Sequence, residues 1–200
     1  MQLVCLQSEA QMQITLSQNE KRLCEFIARE RKQANRKVDP RDIIAEHGLD
    51  PWYVECEGVM SELAFCRAMD KYPDEIFEIG CRSAAKGEDR GDATINGVCI
   101  DVKSTKYQSG QLLCVKRNPS IDLIVLMTGE KGCYRLAGGM WAEDMYEDWR
   151  YGTTDKIPYP CFKATQAELL PPKKVMEILN HTSFAKPTPV DAQAFDWTKP

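Results

Sequence analysis

Asn96-Gly97, set between Ala93-Thr94-Ile95 and Val98-Cys99-Ile100-Asp101-Val102-Lys103, restricts the fold of this chain more than any other stretch. A type I′ turn needs positive φ at both central residues, and Asn-Gly meets that need, so the spacing predicts a two-residue β-hairpin. The loop then pairs Ile95 with Val98, Thr94 with Cys99, Ala93 with Ile100 and Asp92 with Asp101. Side chains alternate across a strand. Ala93, Ile95, Val98, Ile100 and Val102 therefore share an apolar face, and Asp92, Thr94, Cys99, Asp101 and Lys103 share the other. Directly opposed side chains stand about 4.5–5.5 Å apart at Cβ, and like charges so placed repel. Two opposed carboxylates with a lysine beside them predict a divalent cation held between them. A slip of one residue at the turn would move Asp92 off that face.

Upstream, residues 1–16 read as an extended entry with alternating Met12, Ile14 and Leu16. Ser17-Gln18-Asn19-Glu20 has the capping-box pattern and opens a helix running to about Lys37, with Leu23, Phe26 and Ile27 as its apolar stripe. Its later part is basic, through Arg29, Arg31, Lys32, Arg36 and Lys37. Residues 21–42 hold eight basic and four acidic side chains in a chain whose net charge is −4, so this helix is read as either a solvated face or a phosphate-contacting one. Residues 38–53 read as a loop with a short helix. The next helix spans about 54–69, with Val59, Leu63, Cys66 and Met69 in its stripe. Glu62 falls within or beside that stripe, where an acid needs a partner or a metal.

Residues 76–81 read as a strand and 83–91 as a polar loop. After the hairpin, residues 103–117 carry Lys103, Lys106, Lys116 and Arg117 and no acid. Ile121-Asp122-Leu123-Ile124-Val125-Leu126-Met127 is a dense apolar run, which predicts a central strand buried on both faces. Residues 132–137 read as a further strand, Gly138-Gly139 as the lead into a helix over 141–149, 150–160 as a loop, and 164–179 as docking turns and a helix. Together these elements predict a mixed α/β (α+β) chain with a central mixed sheet flanked by helices. Residues 1–53 form an N-terminal strand and basic helical extension packed on the core, 54–180 form the core, and 181–200 form an extended tail with prolines at 187, 189 and 200.

Nine cysteines, no two closer than ten residues, leave no CxxC pair for zinc or an iron–sulfur cluster and read as reduced thiols. No apolar run approaches the roughly 18 residues of a membrane span, and the first residues lack a basic and apolar leader. A cytoplasmic protein with no membrane partner is expected. His47 and His181 lie away from the acids and read as structural or surface residues.

The order of these elements resembles the PD-(D/E)XK nuclease superfamily, the restriction-endonuclease-like fold of many restriction enzymes, phage exonucleases and repair nucleases. Gly91-Asp92 and Asp101-Val102-Lys103 carry the resemblance. Gly58-Val59-Met60-Ser61-Glu62-Leu63-Ala64 is similar to the helix that often adds an acid, and residues 121–126 with 134–141 are similar to the strands that follow the active hairpin. The likeness covers roughly 54–150. Glycine stands where the family often has proline before the first acid, and Asp101 stands in place of glutamate; both lie within the family's range. The resemblance implies a metal-dependent nuclease hydrolysing DNA phosphodiester bonds with Mg²⁺ or Mn²⁺. Asp92, Asp101 and the Val102 carbonyl would ligate the metal, and Glu62 would act through water or a second metal. Lys103 would orient or help deprotonate the attacking water and stabilise the transition state. Lys106, Gln108, Lys116 and Arg117 are candidate phosphate contacts.

Other readings stay open at this point. A nucleic-acid-binding or assembly module of the same fold would keep the acids without the reaction. A nuclease acting on RNA would keep the chemistry with another substrate. An unrelated α+β protein would leave Asp92 and Asp101 as solvent-facing hairpin residues, with Lys103 paired to Asp101. Oligomeric state and exo- or endonuclease mode are not encoded in any of these motifs.

Overall fold

In a computed structural model, the described residues are 13–36, 50–71, 91–154 and 157–181. They form a mixed α/β arrangement of two sheets and four α-helices. The strands are β1 (Gln13–Thr15), β2 (Ala93–Ile95), β3 (Val98–Thr105), β4 (Leu112–Cys114), β5 (Leu123–Glu130), β6 (Cys133–Trp141), β7 (Tyr151–Thr154) and β8 (Ile157–Ala164). The helices are α1 (Gln18–Arg36), α2 (Pro51–Ala68), α3 (Ala142–Met145) and α4 (Pro172–Asn180). The main sheet has the order β1-β6-β5-β3-β2, and the second sheet β4-β8-β7. Only β3 and β5 run parallel; the remaining pairs are antiparallel.

The apolar run forms the middle strand, as its composition requires. Residues 123–128 of β5 are all buried. Leu123, Val125 and Met127 face one core, with Val98, Ile100 and Val102 of β3 and the inward residues of α1, α2 and α4. Ile124 and Leu126 face the other, against Leu112 and Cys114 of β4, Phe162 and Ala164 of β8, and Met145 of α3. A strand covered on both sides has no polar face, so alternation disappears from its sequence.

Ser17 and Glu20 close the expected capping box: the Ser17 amide donates to Glu20 Oε2 at 2.6 Å and the Glu20 amide to Ser17 Oγ at 3.3 Å. Asp50 caps α2 by accepting from the Trp52 amide at 2.9 Å, with Pro51 in the first turn. The inward face of α1 differs from expectation. Leu23 and Phe26 are exposed at 42% and 52%, whereas Cys24, Ile27, Ala28 and Arg31 are buried. These four recur at i, i+3, i+4 and i+7, one face of a helix.

The C-terminal half holds more strand than the sequence suggests. Gly138 and Gly139 lie inside β6 and do not lead into a helix. The helix expected over 141–149 is a single turn, α3, followed by a 3-10 turn at Asp148–Arg150. Arg150 ends it: its buried guanidinium donates to the Asp144 and Lys163 carbonyls and to Glu168, pulling the chain into β7. The loop expected over 150–160 is largely β7 and the start of β8. Their pairing jumps from Thr154↔Ile157 to Gly152↔Cys161, so Pro158 and Pro160 fall in the irregular stretch. Proline has no amide hydrogen for a ladder and is tolerated at such a break. The 103–120 connection likewise contains β4, which pairs with β8. The strand expected at 76–81, most of the 83–91 loop, the segment 38–49 and the tail from 182 lie outside the described residues. Cys24, Cys56, Cys66, Cys99, Cys114, Cys133 and Cys161 are free thiols. Among the described residues, no helix is long and apolar enough to cross a membrane.

Candidate active site

The hairpin forms in the expected register. Asn96 and Gly97 have φ of 51° and 83°, and β2 pairs with β3 as Ile95↔Val98, Thr94↔Cys99 and Ala93↔Ile100. The Asn96 side chain also donates to the Leu179 carbonyl at 2.6 Å, tying the turn to the end of α4. The pairing stops at Ala93. The Asp92 amide donates to the Ile100 carbonyl at 2.7 Å, and the chain bends away at Gly91, whose φ is 79°. A Cβ at Gly91 would lie 2.5 Å from the Ile100 carbonyl oxygen, so only glycine fits there.

Asp92 is therefore not the direct cross-strand neighbour of Asp101 that the alternation predicts. Its carboxylate Oδ2 instead accepts from the Val102 amide at 2.8 Å. Where β2 ends, this side chain takes over the hydrogen bond that another strand residue would supply. Asp101 and Lys103 project from the face opposite Ile100 and Val102. Lys103 Nζ donates to Asp101 Oδ1 at 2.7 Å, the side chains being 39% and 17% exposed. Cys114 of β4 lies close enough to feel both charges; its thiol is pushed up to about 12, chiefly by burial.

Glu62 comes from the other side. It sits on α2, buried, and Arg31 of α1 donates to both carboxylate oxygens at 2.9 and 3.3 Å. The acid in an apolar stripe thus has a partner in Arg31. Arg31 is one of the basic residues read as solvated or phosphate-facing; it points inward. Its place after Cys24, Ile27 and Ala28 on the buried stripe is the signal that marks it. Asp122 is another acid the sequence reading passed over, with its Oδ2 accepting from the Cys99 amide at 2.9 Å.

The three acids act on one another through Asp92. Burial, then the charges of Glu62 and Asp101, push the Asp92 carboxyl well above the usual carboxylate range, against the opposing pull of Lys103 and the Val102 amide. Burial works against the Lys103 charge, but Asp101 and Asp92 outweigh it and hold the ammonium above its ordinary value. The centre is acid-rich, with Lys103 as the cation beside Asp101.

The outlying candidates separate. Lys106, Gln108 and Lys116 are exposed. Lys106 lies 5.3 Å from the Tyr107 ring centroid. Arg117 pairs with Asp148 and stacks over Phe162 at 5.2 Å, so part of its charge is spent within the protein.

Asp92 and Asp101 are oxygen donors of the kind hard cations such as Mg²⁺ and Mn²⁺ prefer, and Mg²⁺ commonly binds one or two carboxylates and keeps several waters. Burial raises Asp92 most, and the charges of Glu62 and Asp101 raise it further; a cation would offset those charges, and the two carboxylates are the donors such a cation takes. Among the described residues, no group of three or more His, Cys, Asp or Glu side chains stands ready around a common point; Glu62 is turned to Arg31.

Residues 10–128 match the model of a family of unknown function, DUF5843, which spans the hairpin, Glu62 and most of β5. No curated protein and no solved structure matches the chain.

Proposed function

Since the chain belongs to DUF5843, a family of unknown function, we propose from the site itself that it is a metal-dependent nuclease hydrolysing DNA phosphodiester bonds, with chemistry of the PD-(D/E)XK kind. The observation that carries this reading is the meeting of Asp92, Asp101 and Lys103 at the point where β2 leaves β3, with Glu62 acting on Asp92 from α2.

Asp92 and Asp101 would hold Mg²⁺ or Mn²⁺, with Glu62 in reserve behind Arg31. The bound ion supplies a water of lowered pKa and offsets charge on the phosphoryl oxygens. The chain's own groups do the rest. Lys103 would donate hydrogen bonds and positive charge to the attacked phosphate. Lys103 would also orient the attacking water or help deprotonate it. Asp101 fixes the direction of the ammonium through the 2.7 Å hydrogen bond. The Val102 amide fixes the Asp92 carboxylate.

A second reading has an observation in its favour. Glu62 and Asp101 are already paired, with Arg31 and Lys103, as they would be in a nucleic-acid-binding or assembly module with no reaction. Incubating wild type and Lys103→Ala with linear, circular and single-stranded DNA, and with RNA, in Mg²⁺ and in Mn²⁺ separates the two. The nuclease reading expects wild type to cleave DNA and Lys103→Ala to lose at least about 100-fold of that rate, the scale of one lost transition-state donor. Intact DNA with both metals leaves the binding module. Cleavage confined to RNA changes the substrate.

A further inference from the structure

A cleft of about 300 Å³ opens between the two helices that carry Arg31 and Glu62, and it is lined by Arg29, Lys32, Gln33 and Trp52. That volume is at the small end of ligand sites. Trp52 is half-buried, its inner part packed on the core, and the Arg29 guanidinium lies over its ring at 5.9 Å. The lining thus combines an aromatic ring with cations of α1. Trp52 precedes Glu62 by ten residues on α2, or about 15 Å along the axis at about 1.5 Å per residue.

We infer that this cleft binds a single-stranded segment of nucleic acid, one base stacked on Trp52 and the adjoining phosphates held by Arg29 and Lys32. The inference deepens the nuclease reading, on which it rests, by naming the form of substrate. The chemistry argues for a single strand over a duplex. In a duplex the π-faces are stacked on each other and closed to Trp52, whereas an unpaired base offers its own face. It also argues against a ligand that is charge alone, since a bare polyanion has no use for the tryptophan.

The test is fluorescence anisotropy of labelled oligothymidylate in EDTA, which stops cleavage, with oligouridylate, a blunt duplex and inorganic polyphosphate as comparison probes. The full-length chain is used throughout. Wild type binds the oligothymidylate and oligouridylate more tightly than duplex or polyphosphate. Trp52→Ala weakens single-strand binding by about 5- to 150-fold, the range of one lost base–aromatic stack. Arg29→Ala with Lys32→Ala lowers the slope of log affinity against log salt by about 1.4, for two released single-strand counterions. Both positions are on the helix surface, so this pair keeps the test sound if Trp52→Ala unfolds, which a thermal melt reports. Equal affinity for polyphosphate or duplex overturns the inference, as does a salt slope unchanged in the Arg29–Lys32 variant. Cleavage by wild type without single-strand binding at this cleft removes the cleft and leaves the nuclease. Binding without cleavage in Mg²⁺ or Mn²⁺ keeps the cleft and removes the nuclease.

Discussion

Replacing Arg31 by methionine should cost this protein more stability than any other single change on α1, and replacing Glu62 as well should return at least the whole of it. The two side chains are 8% and 10% exposed and 2.9 Å apart. At an effective dielectric of about 20, charges that close attract by roughly 5–6 kcal/mol. Desolvating both charges offsets most of that gain, so the pair is near neutral as a unit. Removing Arg31 alone abolishes the attraction and leaves Glu62 charged, buried and beside Asp92, which its field already pushes up. The expected loss is about 3–5 kcal/mol, or roughly 6–20 °C in Tm for a chain of this size. Arg31→Met with Glu62→Leu should lie between neutral and about 4 kcal/mol more stable than wild type. Thermal and urea melts at pH 7 in EDTA measure all four corners of the cycle. Mn²⁺ should restore more stability to Arg31→Met than to wild type, because a cation then takes the place of the guanidinium beside Glu62. Additive losses in the double variant, or equal Mn²⁺ effects in both backgrounds, would refute the reasoning.

Gly91→Ala should lose about 1–3 kcal/mol in a urea melt from its positive φ alone, and more if the Ile100 carbonyl cannot give way; an unchanged midpoint contradicts the bend described here. Asn96→Ala, which loses both a residue tolerant of φ 51° and the hydrogen bond to the Leu179 carbonyl, should cost about 1–2 kcal/mol by the same assay. Glu168 is held down from 4.5 to about 2 by hydrogen bonds from the Thr165 side chain and backbone and from Arg150. A carboxyl depressed in the folded state stabilises above its unfolded value and loses that contribution as pH falls from about 4.5 to about 2. Tm measured across that window should therefore fall less steeply in Glu168→Gln than in wild type, and parallel curves would count against the assignment.

The hairpin was legible because two local rules agree on it: Asn-Gly sets the turn and the period of two sets the faces. Both rules lapse at Asp92. Nothing in alternation announces that the strand stops one residue short, and Gly91, free to adopt positive φ, is the sole local sign of the bend. The α1 helix was legible in extent through its capping box and illegible in orientation. Leu23 and Phe26 are apolar and face outward, while Arg31 is charged and faces inward, and Cys24 and Ala28 are the quiet residues that mark the buried side. Choosing the stripe by its largest apolar residues turned the helix the wrong way and hid the partner of Glu62. The second sheet stayed hidden for another reason. Leu112–Cys114 is three residues long and gains its stability from Phe162–Ala164, about fifty residues downstream, so no window of local sequence contains the pairing.

The place of β1 carries a consequence for how the chain matures. Gln13 lies opposite Arg135 and Thr15 opposite Cys133, so an early strand closes the outer edge of a late one. During synthesis α1 and α2 emerge long before β6 exists, and β1 waits without its partner for more than a hundred residues. Contacts so far apart in sequence form slowly because the intervening loop must close first. Until then β6 presents a row of unpaired amides and carbonyls, a template for strands from other copies. Supplying β1 late, or losing it by proteolysis, should lower the yield of soluble protein before it lowers the stability of what has folded.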